Sequence, residues 1–390
     1  EGKLYKSEED DKPETVYFKV ENATFLEMTD NKTIKVSIIG STGYVGAEVV
    51  HGFLSHPNVE ISHLTSQSFV GQKFSDIYPV YRGICDIELE GSSEEDIIRI
   101  AKDSDLVITA LPHGVSSKMV PVIVENGARV IDHSGDFRYK NLETYTKSYK
   151  LDHPHPELLK EAVYGLPELY REELKTSKIT ANPGCYPTCS LTALAPFLKN
   201  GLIKTDMIII DATSGVTGAG RKSDLAYAYC EVDEAFKPYG AVGHRHTTEI
   251  SEQCSFLSGD KTGKSINVTF TPHLAPFKRG MVASIYVKPS DKFKEMGVSS
   301  EKINEIYDEY YKEEKFVRVL PGKNLPDVKY VNGSNYIDVN GMYDPETDMI
   351  KLFSAQDNLG KGAALQAIQA FNAMFGLDEG TGLTNLVRGV

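Results

Sequence analysis

The segment from Ile34 to Leu54 constrains this chain more than any other. Ile34-Lys35-Val36-Ser37-Ile38-Ile39 is a β-branched run that reads as a strand, and Gly40-Ser41-Thr42-Gly43-Tyr44-Val45-Gly46 follows it at once. Ala47 to Leu54 then takes up helical periodicity. Strand, glycine turn and helix in that order are the context a dinucleotide-binding fingerprint requires. Glycines permit the tight turn and close backbone approach, and a pyrophosphate sits on the helix N-terminus. Gly40, Ser41, Thr42, Gly43, Tyr44, Val45 and Gly46 are therefore candidate cofactor contacts, in a GxxGxxG rather than a GxGxxG spacing.

Further strand-and-helix units follow. Val59 to Thr65 reads as a second strand ending at Ser66-Gln67-Ser68, where an NAD enzyme would carry an acid for the ribose 2′-hydroxyl. Hydroxyl and amide groups stand there instead, so NADP is favoured and Ser66 and Ser68 become candidate contacts, although no arginine is obvious nearby. Asp105–Ala110 and Ala128–Asp132 read as later strands, with a helix from Ser116 to Glu125 between them. Alternating βα units imply a parallel sheet with its ligand at the carboxyl ends of the strands. That places Pro112, His113, Gly114 and Ser134 beside the cofactor.

Cys185 is the candidate nucleophile. Lys178–Ala181 reads as a strand, Asn182-Pro183-Gly184 as a sharp turn, and Cys189–Ala195 as part of a helix that tolerates Pro187 only in its first turn. The thiol then lies at a helix N-terminus, which favours thiolate. The helix alone contributes about 0.3–1 kcal/mol, less than one pKa unit, so a basic partner is needed. His244, His246 and His273 are the candidates. His246 and Glu249 are three apart, so the carboxylate is placed to orient the imidazole. Cys189, one helical turn on from Cys185, reads as core.

After Cys185 the pattern turns mixed. Met207–Ala212, Asn267–His273 and Met281–Val287 read as strands, Gly243–Ile250 as a helix start, and Ser214–Lys222 as a glycine-rich basic loop suited to an anion. The fold class expected is α/β: a Rossmann-type dinucleotide-binding domain plus an α+β catalytic and dimerisation domain with a mixed sheet. Asn358–Gly376 reads as an amphipathic helix that returns to the first domain. The boundaries expected are 34–184 with 358–390 for NADP binding and 185–357 for catalysis. Residues 1–33, rich in Glu, Asp and Lys, read as a mobile extension in which residues 15–20 form at most one short strand. The chain opens at Glu1 rather than methionine, which reads as processing or trimming.

At 390 residues the chain exceeds one compact core, and its net charge of −13 argues against nucleic acid or an anionic membrane surface. No run approaches the ~20 apolar residues of a membrane span. Five cysteines without a CxxC pair fit free thiols in a reducing, cytoplasmic compartment, or an organelle matrix after loss of a transit segment. No metal-ligand spacing is present, and no metal is expected.

These segments together resemble the N-acetyl-gamma-glutamyl-phosphate reductase family of the aspartate-semialdehyde dehydrogenase superfamily. The resemblance runs from Ile34 to the C-terminus through GSTGYVG (40–46), LPHG (111–114), SGDFR (134–138), YGLPE (164–168), NPGCYPT (182–188), SGVTGAGRK (214–222), GHRHTTEI (243–250), TPHLAPFKRGM (271–281) and NLGKGAA (358–364). It implies NADPH-dependent reduction of an acyl phosphate in arginine biosynthesis through a Cys185 thioacyl intermediate. It further implies His246 as acid/base with His244 as the alternative, Asn358 at the nicotinamide end, and a homo-oligomer, dimer or tetramer. Arg138, Arg221, Arg245 and His244 are candidates for the substrate's carboxylate and phosphate. Two rivals are an aminoadipyl-phosphate reductase of lysine biosynthesis and a non-catalytic NADP-binding module.

Overall fold

The computed structural model describes residues 33–384; the expected N-terminal extension, Thr33 apart, and its candidate strand lie outside the described residues. Seven strands form the first sheet: β1 (Ile34–Ile39), β2 (Val59–Thr65), β3 (Leu89–Glu90), β4 (Leu106–Thr109), β5 (Arg129–Asp132), β6 (Val163–Tyr164) and β7 (Ile179–Ala181). Their order is 3-2-1-4-5-7-6 and every pairing is parallel. The strands alternate between two buried faces. Val36, Ile38, Leu64 and Ile108 meet helix α1 (Tyr44–Leu54) on one side. Ile39, Val107 and Val130 meet Ile97, Ile100, Val120 and Ile123 on the other. Burial on both faces explains why these strands are almost continuously apolar.

All carboxyl ends of a parallel sheet lie along one edge, and the order reverses between β1 and β4. That crevice is where open α/β sheets take ligands. The glycine turn after β1, the loop after β4, residues 133–138 after β5 and the Asn182–Gly184 turn after β7 all open onto it.

Helix α2 (Cys185–Lys199) leads from β7 into the second half and is buried from Tyr186 through Leu198. Pro196 lacks the N–H that would bond the Thr192 carbonyl, and the Tyr311 hydroxyl donates to that carbonyl instead, at 2.6 Å. The second sheet holds β8 (Ile208–Ser214), β9 (Lys237–Pro238), β10 (Val268–Leu274), β11 (Met281–Val287), β12 (Val317–Val319), β13 (Ile337–Asp344) and β14 (Met349–Gln356), ordered 12-13-14-11-8-10-9. β8 pairs β10 and β12 pairs β13 in parallel; the other pairings are antiparallel. Its inner face packs on α2, on helix α3 (Arg245–Leu257) and on the Ser300–Tyr311 helix.

The chain finally returns to the first sheet. A π-helical turn over Gly360–Ala364 precedes helix α4 (Leu365–Met374), which is buried along its whole length. Ile368 presses so closely on α1 that a Cβ on Gly52 would fall 2.2 Å from its Cδ1. The expected single helix over 358–376 is thus shorter, and its glycine-rich entry is a separate wide turn. No helix among the described residues is long and apolar enough to cross a membrane.

Candidate active site

Cys185 is the first residue of α2, and Gly184 caps that helix in an extended conformation without a side-chain acceptor. The turn before it is held from several sides. The Asn182 N–H donates to the Asp132 carbonyl, and Arg138 Nε donates to the Asn182 carbonyl at 2.7 Å. The Gly184 N–H donates to Glu249 Oε1 at 3.0 Å. From the far side, a Cβ on Gly362 would lie 2.9 Å from the Cys185 Cβ, so only glycine lets that segment close over the cysteine. Burial pushes the Cys185 thiol up, while Arg245, the Tyr186 N–H and Arg138 pull it down. Burial wins, so the helix terminus alone does not supply a thiolate. Cys189 lies in the core, its thiol against Ser354 and pushed up to about 12 by burial.

The two candidate histidines flank the start of α3. His244 caps it, its Nδ1 accepting the His246 N–H at 3.2 Å. His246 is buried and packs on the cysteine turn: a Cβ on Gly184 would sit 2.5 Å from its Nε2. Burial, aided by Arg245, holds His246 well below the ordinary histidine value and lowers His244 to about 4. Both rings are neutral at pH 7, the form a general base needs. The expected His246–Glu249 hydrogen bond is not formed. Glu249 instead accepts from Gly184 N–H, from the Tyr164 hydroxyl at 2.8 Å and from Arg138 at 3.1 Å, and His246 Nδ1 has no partner among the described residues. Three donors, one of them a guanidinium, outbid a neutral imidazole for one carboxylate. His273 stacks on Phe236 and does not line the cleft.

A cleft of about 350 Å³ opens at Cys185, lined by His244, Arg245, His246, Tyr186, Tyr239, Lys222 and Lys237 among others. Arg245 is exposed, and its guanidinium has no partner among the described residues, which suits an anion. Arg138 is buried, its donors committed to Asn182, His133 and Glu249, so it braces the turn. Arg221 does not line this cleft; it donates to the Thr42 carbonyl of the glycine turn. Sequence reasoning placed Lys222 in the basic anion loop without singling it out, and it missed Lys237, for which no local pattern carried a signal. A second hollow of about 520 Å³, beyond Arg245, carries Lys147, Lys150, Lys264 and Glu252 but no cysteine.

The nucleotide side fits a dinucleotide. Gly43 caps α1, no side chain bonds the helix end, and no acidic residue occupies its first turn, which leaves those N–H groups to an anion. A Cβ on Gly43 would meet nothing nearer than the Gly40 carbonyl at 3.7 Å, so the approach is open. Gly40 and Gly46 serve tightness instead, since a Cβ on either would fall within 2.5 Å of a backbone oxygen. Ser41 donates to the Thr65 carbonyl, and Thr42 shares a hydrogen bond with the buried Ser66, so these hydroxyls shape the turn. Tyr44 and Ser68 are exposed, and Val45 is half-buried. Pro112 is exposed, while His113 packs at a tilt against Tyr149 and is held at about 3 by burial and by Arg245 and Arg138. The Ser134 hydroxyl donates to Asp132. Asn358 is buried, its amide donating to Thr217 and accepting the Gly280 N–H, both in the second half.

Two family models match. Residues 35–177 fit the semialdehyde dehydrogenase NAD binding domain, and residues 185–358 fit the semialdehyde dehydrogenase dimerisation domain. Among curated relatives, the N-acetyl-gamma-glutamyl-phosphate reductase of Acetivibrio thermocellus is 51% identical over 90% of this chain and 98% of its own. The chain belongs to the N-acetyl-gamma-glutamyl-phosphate reductase family. Its members from Halothermothrix orenii and Acinetobacter baylyi are 47% and 44% identical, each over 90% of this chain and 98% and 99% of their own. The fold extends beyond that family. Aspartate semialdehyde dehydrogenase II of Vibrio cholerae superposes with a TM-score of 0.67 at 18% identity, covering 88% of this chain and 98% of its own. The Candida albicans aspartate semialdehyde dehydrogenase, solved with NADP, gives 0.65 at 16% identity, covering 88% and 98%.

Proposed function

We infer that this chain catalyses the NADPH-dependent reduction of N-acetyl-gamma-glutamyl phosphate to N-acetyl-glutamate 5-semialdehyde and phosphate. Membership of the reductase family supports the overall reaction. The observation that carries the residue roles is Cys185 at the start of α2, beside a neutral buried histidine and an unpaired guanidinium. Cys185 Sγ attacks the acyl carbon and phosphate leaves, which gives a thioester on the enzyme. When bound in the glycine turn, NADPH supplies hydride. His246 takes the thiol proton at the first step and returns one to the carbonyl oxygen when hydride arrives. It then removes that proton as the thiohemiacetal collapses and Cys185 leaves as thiolate. Arg245 and Lys222 hold the substrate's anionic groups, and the N–H groups at the start of α2 face the developing oxyanion.

NADP is the cofactor this reading favours over NAD, on the acid-free Ser66-Gln67-Ser68 strand end. The nucleotide-binding part comprises 34–184 with 358–390, and the catalytic part 185–357. A homo-oligomer accords with the dimerisation-domain match and with exposed Leu225, Tyr229, Phe236 and Val242. A non-catalytic binding module would have no use for a cysteine and histidines around one cleft.

The reaction runs backwards in a simple assay: N-acetyl-glutamate semialdehyde, phosphate and NADP, followed by NADPH absorbance, beside the aminoadipate and aspartate semialdehydes. The N-acetyl-glutamate compound is expected to be the preferred substrate. Cys185→Ser should bind NADPH normally and lose turnover by roughly 10³-fold or more. Full activity in that variant, or substrate-derived label on Cys189, rejects the mechanism.

A further inference from the structure

We propose that Arg221, delivered from the second half of the molecule, recognises the 2′-phosphate of the cofactor. It would do so in an anion site built with Thr42, Ser68, Phe69 and Tyr78, rather than by contacting the acyl-phosphate substrate. The inference rests on the NADP reading above and supplies the basic group that the β2 end lacks.

Arg221 Nη1 donates to the Thr42 carbonyl at 3.1 Å and to the Tyr78 hydroxyl at 3.3 Å. Tyr78 itself donates to the same carbonyl at 2.9 Å. The guanidinium lies over the rings of Tyr78 and Phe69, 5.1 and 5.8 Å from their centroids. Two aromatic faces and a shared carbonyl fix the plane of the fork. Nε and Nη2 donate to no protein atom among the described residues, which leaves three N–H groups for a ligand. Phe69 directly follows exposed Ser68, and Thr42 bonds Ser66, so the fork stands at the carboxyl end of β2. In this class of fold that end receives the adenosine ribose, and an arginine nearby accommodates a 2′-phosphate. No carboxylate occupies 66–69 to repel one.

The adjacent Lys222 lines the Cys185 cleft, whereas Arg221 does not. One loop after β8 therefore faces both ligands with neighbouring cations, and the division of labour follows from where each side chain points.

The test is direct binding of NADPH and of NADH, without acyl substrate, by fluorescence titration of wild type, Arg221→Ala and Arg221→Lys. Losing charge-assisted hydrogen bonds to a phosphate should raise the NADPH dissociation constant about 10- to 100-fold in Arg221→Ala. NADH should change by no more than about 2- to 3-fold, because it lacks the group recognised. Arg221→Lys should fall between, since a point charge remains without the fork. Arg221 is exposed, and retained NADH affinity reports a folded site. A wild type that binds both cofactors equally would overturn the NADP reading and this proposal with it. A wild type that prefers NADPH, with Arg221→Ala weakening both cofactors alike or neither, would overturn the Arg221 assignment alone. A raised KM for N-acetyl-glutamate semialdehyde with unchanged NADPH binding would return Arg221 to the substrate.

Discussion

At the scale of single residues, His246 presents the sharpest physical tension. Its ring is buried, and Nδ1 finds no acceptor or donor among the described residues. An unsatisfied buried polar atom costs about 1–3 kcal/mol, and such exceptions concentrate where chemistry is done. Burial and Arg245 oppose charge on the ring, so the neutral base persists to pH values below the ordinary histidine range. Activity should therefore fall on the acid side only as pH drops through that lowered value. The kcat/KM profile of wild type is expected to hold flat at pH 6.5 and break lower, where an unperturbed histidine would break at ~6.5. His246→Asn should lower kcat by roughly 10²- to 10⁴-fold with KM within a few fold, and erase that acid limb. If His244→Asn erases it instead, the two histidines exchange roles; a limb at 6.5 in wild type would reject the burial argument. Cys185 and both histidines were legible from the sequence because turn chemistry and proximity along the chain announce them. Glu249's partners were not. The i, i+3 spacing to His246 is local, whereas Gly184, Tyr164 and Arg138 come from distant segments and bind more strongly.

At the scale of elements, α3 carries two buried carboxylates with opposite fates. Glu249 is matched by Arg138, while Glu252 accepts only the Lys140 N–H, and its Oε2 has no partner among the described residues. Burial raises Glu252 to about 7. A carboxyl raised in the folded state costs stability as pH rises, because the unfolded chain deprotonates first, near its ordinary 4.5. That cost is absent below pH 4.5, grows between 4.5 and 7, and levels off above at about 3 kcal/mol. Glu252→Gln should therefore stabilise the protein by about 1–3 kcal/mol at pH 8 and by little at pH 4.5, measured by urea unfolding at both values. Equal effects at the two pH values would mean that the carboxyl is not perturbed. Elements with one clear period were legible: β2, β11 and the Ser116–Glu125 helix lie where periodicity put them. The β13–β14 hairpin was not: Gly341 breaks the period of β13, and the polar residues of its Ile337–Asn340 alternation, Asp338 and Asn340, are buried rather than exposed. Asn340 instead donates to the Leu320 and Gly322 carbonyls, a long-range contact that no local pattern encodes.

At the scale of the whole molecule, the C-terminal return is what closes the structure around Cys185. Lys361 is fully buried and donates to Glu168 at 2.5 Å and to Gln369 at 2.6 Å, joining the NLGKGAA segment to the Pro167–Thr176 helix of the first half. Burial pushes Glu168 up, but Lys361 and Gln369 overcome it and hold the carboxyl below its usual value. The next residue, Gly362, packs on Cys185, and the Ala363 carbonyl accepts from Asn182 of the cysteine turn. One ion pair thus fixes both the chain's return and the wall of the active site. Removing only the cation should leave Glu168 charged and uncompensated, at a cost of about 3–5 kcal/mol. Lys361→Met is expected to lose that much stability in urea unfolding and to reduce turnover, because Gly362 and Ala363 shift with it. Replacing the pair by apolar residues, Lys361→Met with Glu168→Leu, removes the stranded charge and should recover most of the stability. Turnover should recover less, since a packed apolar pair restores burial without the directional bonds that aim the segment at Cys185. A double variant no more stable than Lys361→Met would show that Lys361 acts through packing rather than through Glu168.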